Sequence, residues 1–76
     1  MQSPIDPFYR AFGRRVRAAR EPLMSQDLLA RALGLGRTSV TNIEAGRQHV
    51  SLATAAAIAR LLDVSLDALI GTEERG

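Results

Sequence analysis

Apolar side chains recur every three or four residues in five separate stretches of the chain, which is the spacing of one face of a helix. The first stretch predicts a helix from Pro7 to about Arg20. Asp6 suits the N-cap position, proline fits the first helical turn, and Pro22 prevents the helix from continuing. The residues predicted to form its buried stripe are Phe8, Phe12, Val16 and Ala19.

Serines mark the starts of three further helices. Ser25 is predicted to cap the second helix, Ser51 the fourth and Ser65 a short fifth helix that ends at Gly71. The third helix is predicted from Arg37 to about Ala45, with Gly36 as its cap and Gly46 closing it. The apolar positions predicted to point inward from helices 2, 4 and 5 are Leu29, Ala30, Leu33, Leu52, Ala55, Ala56, Ala59, Leu62, Leu66, Leu69 and Ile70.

Residues 26 to 45 have the spacing of two short helices that cross at a steep angle. Such helices can touch only if the first presents a small side chain, which Ala30 supplies, and Gly34 accepts the positive φ that a tight reversal needs. Val40 and Ile43 lie on one side of the next helix and anchor it to the core. The polar residues left on its other side are Arg37, Thr38, Thr41 and Asn42.

The composition agrees with helices packed through small side chains. The chain has 76 residues, 46% of them hydrophobic, with twelve alanines, ten leucines and three aromatic residues. This length suffices for one modest core. We therefore predict an all-α fold, a compact five-helix single domain over residues 1–76, with frayed ends at 1–5 and 72–76.

The sequence lacks the residues that most catalytic and metal-binding sites require. The sequence has no cysteine and a single histidine, His49, which we expect to be solvated or to face phosphate. Because no nucleophile–base pair, metal-ligand cluster or phosphate-binding glycine loop is evident, we predict no enzyme activity, no metal and no cofactor. No apolar run approaches the roughly 20 residues of a membrane span, and no signal pattern is present, so a cytoplasmic location is expected.

Positive charge is concentrated in the first two thirds of the chain. Residues 1–50 hold eight arginines and four acidic residues, whereas residues 51–76 hold two arginines and four acidic residues. A basic face of this kind attracts phosphate, although such asymmetry is common among proteins. Arg10, Arg14 and Arg17 share one face of the first helix, where solvation and a DNA-facing role are equally compatible with the pattern.

Taken together, the motifs resemble the lambda repressor/Cro-like helix-turn-helix family, also called the xenobiotic-response-element type, over about residues 10–70. The resemblance is carried by Phe12 to Arg17 and Arg20, Ser25 to Asp27, Leu29-Ala30, Leu33-Gly34, Val40, Ile43-Glu44, Gly46-Arg47 and the supporting helices from Leu52 to Leu69. It implies that the third helix enters the major groove of DNA. Gly36 stands where the family more often has a serine or threonine.

The resemblance also implies roles for individual residues. Base reading falls to Arg37, Thr38, Thr41 and Asn42, and an arginine fork matches O6 and N7 of guanine. Phosphate contacts fall to Gln26, Ser39, Arg47 and Gln48. Arg20 and Glu44 are expected to form a structural ion pair, which we favour over a catalytic role for Glu44.

The function predicted from these residues is a sequence-specific DNA-binding transcriptional regulator, a repressor or controller protein that binds a two-fold-related operator as a homodimer. Leu66, Leu69 and Ile70 are candidates for the dimer interface, and core packing explains them equally well. The alternative is a protein-interaction or antitoxin-like module whose DNA binding serves autoregulation. A second protein partner therefore stays open.

Overall fold

The computed structural model describes residues 6–71, and this part of the chain contains five α-helices and no strand. They are α1 (Pro7–Arg20), α2 (Gln26–Leu33), α3 (Arg37–Glu44), α4 (Leu52–Leu62) and α5 (Leu66–Ile70). The predicted all-α fold and its five helices are confirmed. The segments predicted to fray, 1–5 and 72–76, lie outside the described residues.

Side chains cap the N-termini of four of the five helices. Asp6 Oδ1 accepts the Phe8 N–H at 2.8 Å. Ser25, Ser51 and Ser65 each accept, through Oγ, the backbone N–H three residues further on at 3.0 Å. These bonds satisfy donors that have no partner inside the helix, which is why each helix begins where the sequence predicts. The cap of α3 is Gly36, which offers no side-chain bond.

The C-termini of α2 and α4 end in the same backbone conformation. Gly34 has φ +72°, and Leu35 N–H then reaches back to the Ala30 carbonyl at 2.9 Å. At the end of α4 the left-handed residue is Asp63, with φ +58°, and Val64 N–H bonds to Ala59 O at 3.0 Å. These bonds satisfy carbonyls at the helix end and reverse the chain at once.

The core lies where the five helices meet. In it, α1 packs against α3, α4 and α5, and α2 packs against α3 and α4. The buried apolar side chains are Phe12, Val16, Leu29, Ala30, Val40, Ile43, Ala55, Ile58, Ala59, Leu62 and Leu69. Every helix contributes to this core, and α3 is held in it by its contacts with α1 and α2.

Three apolar residues differ from the sequence expectation. Phe8 and Leu52, predicted to point inward, are 51% and 75% exposed. Both lie in the first turn of their helices, where helical spacing continues but no neighbouring helix covers the position. Ile58 is not among the predicted inward residues, yet it is fully buried.

Candidate nucleic-acid interface

The α2–turn–α3 segment is built around the small residue and the glycine that the sequence indicates. Ala30 is 2% exposed and lies in the buried core that α2 and α3 share. Gly34 reverses the chain through its positive φ. On α3, Val40 and Ile43 are 1% and 2% exposed and anchor the helix to the core. One side of α3 is therefore anchored while the other faces solvent.

The free side of α3 carries the residues expected to read bases. Arg37, Thr38 and Thr41 are exposed and Asn42 is half-buried. Within residues 6–71, the Arg37, Thr38 and Asn42 side chains have no hydrogen-bond partner. A helix of eight residues is about 12 Å long, which is close to the width of the DNA major groove.

Thr41 differs from its neighbours because its hydroxyl is already engaged. Its Oγ1 lies 3.1 Å from the Arg37 carbonyl oxygen and 3.3 Å from Gln26 Oε1, and both are acceptors. A single hydroxyl proton can serve only one of them at a time. The hydroxyl is therefore turned toward its own helix and α2, which leaves the threonine methyl group as the part suited to a base.

The chain after α3 is held close to that helix. Gly46 has φ +75°, and Arg47 N–H bonds to the Asn42 carbonyl at 2.9 Å. A Cβ on Gly46 would lie 2.5 Å from Arg10 Cα, so only glycine allows this approach. As a result, the exposed Arg47 side chain starts immediately beside the end of α3. Gln48 and Ser39, which the resemblance assigns to phosphate, are half-buried.

A buried ion pair joins α1 to α3. Arg20 Nε donates to Glu44 Oε2 at 2.5 Å and Arg20 Nη2 donates to Glu44 Oε1 at 3.2 Å. A third guanidinium nitrogen, Nη1, donates to the Met24 carbonyl at 2.9 Å. The two side chains are 8% and 4% exposed. The structure thus brings together the two residues that the resemblance pairs.

Gln26, at the start of α2, extends this network to the surface. Its Nε2 donates to Glu44 Oε1 at 2.9 Å, a contact that is absent from the sequence expectations. No local pattern signals it, because the two residues are 18 positions apart and on different helices.

Three arginines lie around the depression that Gln26 lines. Gln26 lines a polar depression of about 450 Å³ whose other lining residues are Arg17, Arg20, Ser25, Asp27 and Arg37. Arg17 bonds to Glu21 at 2.9 Å, and this hydrogen bond raises the pKa of Arg17 and lowers the pKa of Glu21. Arg10, Arg14, Arg37 and Arg47 form no ion pair with another described residue. Their charges are available to an anionic partner.

Another face of the domain is apolar. Phe8 and Leu52 border a groove of about 380 Å³, and its other lining residues are Tyr9, Phe12, Val50, Ala55, Leu66 and Ile70. The His49 ring stacks on Tyr9 with a centroid separation of 4.7 Å, so His49 is partly held by packing.

The α5 residues predicted to form a dimer interface fall into two groups. Leu66 and Ile70 are half-buried and line the apolar groove. Leu69 is 2% exposed and belongs to the core. The interface prediction is therefore corrected for Leu69, because a side chain already covered by its own chain cannot contact a second one.

Two further findings concern other kinds of site. Among residues 6–71, no group of three or more histidine, cysteine, aspartate or glutamate side chains is placed to hold a metal ion. None of the described helices is long and apolar enough to cross a membrane.

Comparison with known families identifies the fold. The helix-turn-helix family HTH_3 matches residues 16–69, which is more than half of the chain. The chain belongs to the HTH_3 helix-turn-helix family. A search of curated protein sequences gives no match. The predicted resemblance to lambda repressor/Cro-like proteins is confirmed.

Solved structures of HTH_3-like proteins resemble this domain closely. The restriction-modification controller protein C.AhdI from Aeromonas hydrophila is 35% identical, with 80% of this chain and 94% of that one covered and a TM-score of 0.73. The P22 c2 repressor, solved in complex with a synthetic operator, is 25% identical over 78% and 91% of the two chains, also with a TM-score of 0.73.

The clp gene regulator ClgR from C. glutamicum is 25% identical, covers 96% of both chains and has a TM-score of 0.79. The family and these neighbours are DNA-binding regulators rather than enzymes. This HTH_3 protein is accordingly a DNA-binding transcriptional regulator.

Proposed function

We propose that this HTH_3 protein is a sequence-specific regulator that inserts α3 into the major groove of its operator. The observation that carries the proposal is the division of α3 into two sides: Val40 and Ile43 are buried, whereas Arg37 and Thr38 are exposed and unpartnered within residues 6–71. A rigidly held helix with free polar groups is what direct readout of base edges requires.

The proposed base contacts come from Arg37, Thr38, Asn42 and the methyl group of Thr41. Phosphate contacts come from Gln26 and Arg47, with Ser39 and Gln48 beside them. Both arginines are exposed and without an ion-pair partner in the described part of the chain, which supports their roles. The cytoplasmic location that such a regulator needs remains a prediction.

We further propose that the protein binds as a homodimer through the apolar groove beside α5. The groove joins Leu66 and Ile70 to Phe8 and Leu52, two of the most exposed large apolar side chains in the described domain. A two-fold dimer would place two α3 helices about 34–36 Å apart, so that both enter successive major grooves on one side of the duplex.

Replacing Arg37 with alanine tests the reading surface. We expect the preference for one base pair in each half-site to relax, at a cost of about 1–3 kcal/mol per contact, because a bidentate contact to guanine would be lost. Competition binding with operators changed at one base pair at a time measures this. The matched control is Arg31→Ala, which removes an exposed arginine from α2 instead. An unchanged base preference in Arg37→Ala would show that Arg37 does not read a base.

Replacing Arg47 with alanine should weaken binding to all sequences equally. Each lost phosphate contact removes about 0.9 from the slope of log K against log salt, so a dimer should lose about 2. Titrations of operator and unrelated duplexes at several salt concentrations measure the slope. If it stays at the wild-type value, Arg47 does not contact phosphate.

Leu52→Glu should separate the dimer without harming the fold. Leu52 is 75% exposed at the start of α4, where an acidic residue suits the helix dipole. Two-fold symmetry introduces the change twice, and burying each leucine contributes about 1.5–3 kcal/mol, so the dissociation constant of the dimer should rise roughly a hundredfold or more. Sedimentation at micromolar concentration should then detect monomers.

The control for this experiment is Leu23→Glu, which changes an exposed leucine outside the groove. This variant should sediment like the wild type. Dimers that persist in Leu52→Glu would place the interface on another surface.

A further inference from the structure

The side-chain amide of Gln26 is held at both ends. Its Nε2 donates to Glu44 Oε1 at 2.9 Å, and its Oε1 lies 3.3 Å from Thr41 Oγ1, whose one proton it shares with the Arg37 carbonyl oxygen. Glu44 in turn is held by two bonds from Arg20. A chain of hydrogen bonds therefore runs from a buried ion pair to the exposed side of α3.

The chemistry of the partners determines which way the Gln26 amide faces. An ionised carboxylate can only accept hydrogen bonds, so the nitrogen of the amide must point toward Glu44. The oxygen must then point toward Thr41, whose hydroxyl can donate to it. One of the two Nε2 hydrogens is used by Glu44, and the other has no acceptor among residues 6–71.

The surroundings indicate what this second N–H would bind. The depression that Gln26 lines holds three arginines, Arg17, Arg20 and Arg37, against one acidic residue, Asp27, and of these arginines only Arg37 forms no ion pair with a described residue. It lies at the N-terminus of α2, where backbone N–H groups favour an anion. A phosphate of the DNA backbone has the matching charge and acceptors.

We propose that Glu44 is a positioning residue for DNA binding: it orients the Gln26 amide so that an N–H, and not the carbonyl oxygen, faces a backbone phosphate. This inference rests on the proposed function. The ion pair does not need Gln26, because Arg20 already donates to both Glu44 oxygens. The bond that Gln26 donates to Glu44 instead joins α2 to α3 and fixes the direction in which the amide faces.

The test uses variants that separate positioning from stability. The pair Arg20→Met with Glu44→Leu replaces the buried ions with apolar side chains of similar size, which typically leaves a fold as stable as before. It keeps Gln26 but removes its acceptor, and Arg20→Met alone, which keeps the Glu44 acceptor, controls for the loss of an arginine that lines the same depression. Gln26→Leu removes the amide itself, and Arg47→Ala serves as the control for a different phosphate contact.

Each protein is titrated against operator duplexes in which one backbone phosphate at a time is replaced with an uncharged methylphosphonate. We expect replacement of the phosphate that faces Gln26 to weaken wild-type binding roughly tenfold, as the loss of a hydrogen bond to a charged group does. Gln26→Leu should be insensitive to that replacement. The Arg20→Met/Glu44→Leu protein should be equally insensitive although it retains Gln26, and its sensitivity at the phosphate coupled to Arg47 should persist.

Wild-type sensitivity retained in the Arg20→Met/Glu44→Leu protein would overturn the proposal and leave Glu44 a structural role only. The proposal is also overturned if the operator binds normally but no phosphate couples to Gln26. If the folded wild type binds no operator, the proposed function fails instead, and this inference fails with it.

A measurement on the free wild-type protein covers the case in which the double variant does not fold. Side-chain ¹⁵N relaxation should find the Gln26 amide more ordered than that of Gln48, which has no described side-chain bond. Equal mobility of the two amides would overturn the proposal.

Discussion

Gly13→Ala is expected to lower the melting temperature by roughly 5–15 °C. A Cβ at this position would collide with the Ile43 carbonyl oxygen and lie 2.5 Å from that of Glu44. Both atoms belong to the backbone of α3, so no side-chain rotation can relieve the clash, and α1 must move away from α3. Overpacking typically costs about 1–3 kcal/mol, and each kcal/mol shifts the melting temperature of so small a domain by about 4–8 °C.

Intrinsic helix propensity alone predicts that Gly13→Ala raises the stability of the domain. Alanine is favoured over glycine inside a helix by about 1 kcal/mol, so a Gly13 in open space would be a destabilising residue that alanine improves. The steric cost is expected to outweigh this gain because Gly13 is buried and the contact is far below normal van der Waals separation.

Thermal unfolding followed by circular dichroism measures the effect. The matched control is Gly36→Ser, because a Cβ at Gly36 meets no atom within 4 Å and the serine hydroxyl can cap α3. This control should melt at the wild-type temperature or slightly above it. A Gly13→Ala protein as stable as the wild type would show that α1 and α3 are not packed as closely as described.

Glu44→Leu should destabilise the domain by about 3–5 kcal/mol, because it leaves the buried Arg20 guanidinium without its counter-charge. That is a large share of the total stability of a small domain, roughly 5–15 kcal/mol. Adding Arg20→Met should restore most of the loss, since the lone buried charge is then removed. Urea unfolding of the two single variants and the double variant measures the coupling between them.

The exposed ion pair Arg17–Glu21 is the control for the buried pair Arg20–Glu44. Its side chains are 64% and 53% exposed, and exposed ion pairs contribute little because water screens them. Glu21→Gln should therefore unfold close to the wild-type urea concentration. If Glu44→Leu is equally harmless, the ion pair at the α1–α3 contact does not stabilise the fold.

Local features explain how much of the fold can be predicted from the sequence. Ser25, Ser51 and Ser65 each accept a hydrogen bond from the backbone N–H three residues further on, and Gly34 itself adopts the positive φ that ends α2. Such interactions depend on neighbours in the chain, so the sequence predicts the helix boundaries well.

Contacts between helices are harder to predict from the sequence than helix boundaries are. Periodicity places Phe8 and Leu52 on apolar faces but does not reveal that no helix covers them. Similarly, Leu69 could be core or interface until the packing of α5 is known. A glycine inside α1 is the one available sign of the close α1–α3 contact, and nothing in the sequence points to the bond between Gln26 and Glu44.

The most direct test of DNA reading by α3 is selection of bound duplexes from a random-sequence library at near-physiological salt, performed in parallel with the wild type and Arg37→Ala. We expect the wild type to enrich a two-fold-symmetric site with half-sites about 10–10.5 base pairs apart, and Arg37→Ala to lose the preference at one position in each half. A folded wild type that enriches no sequence would contradict the claim that α3 reads DNA.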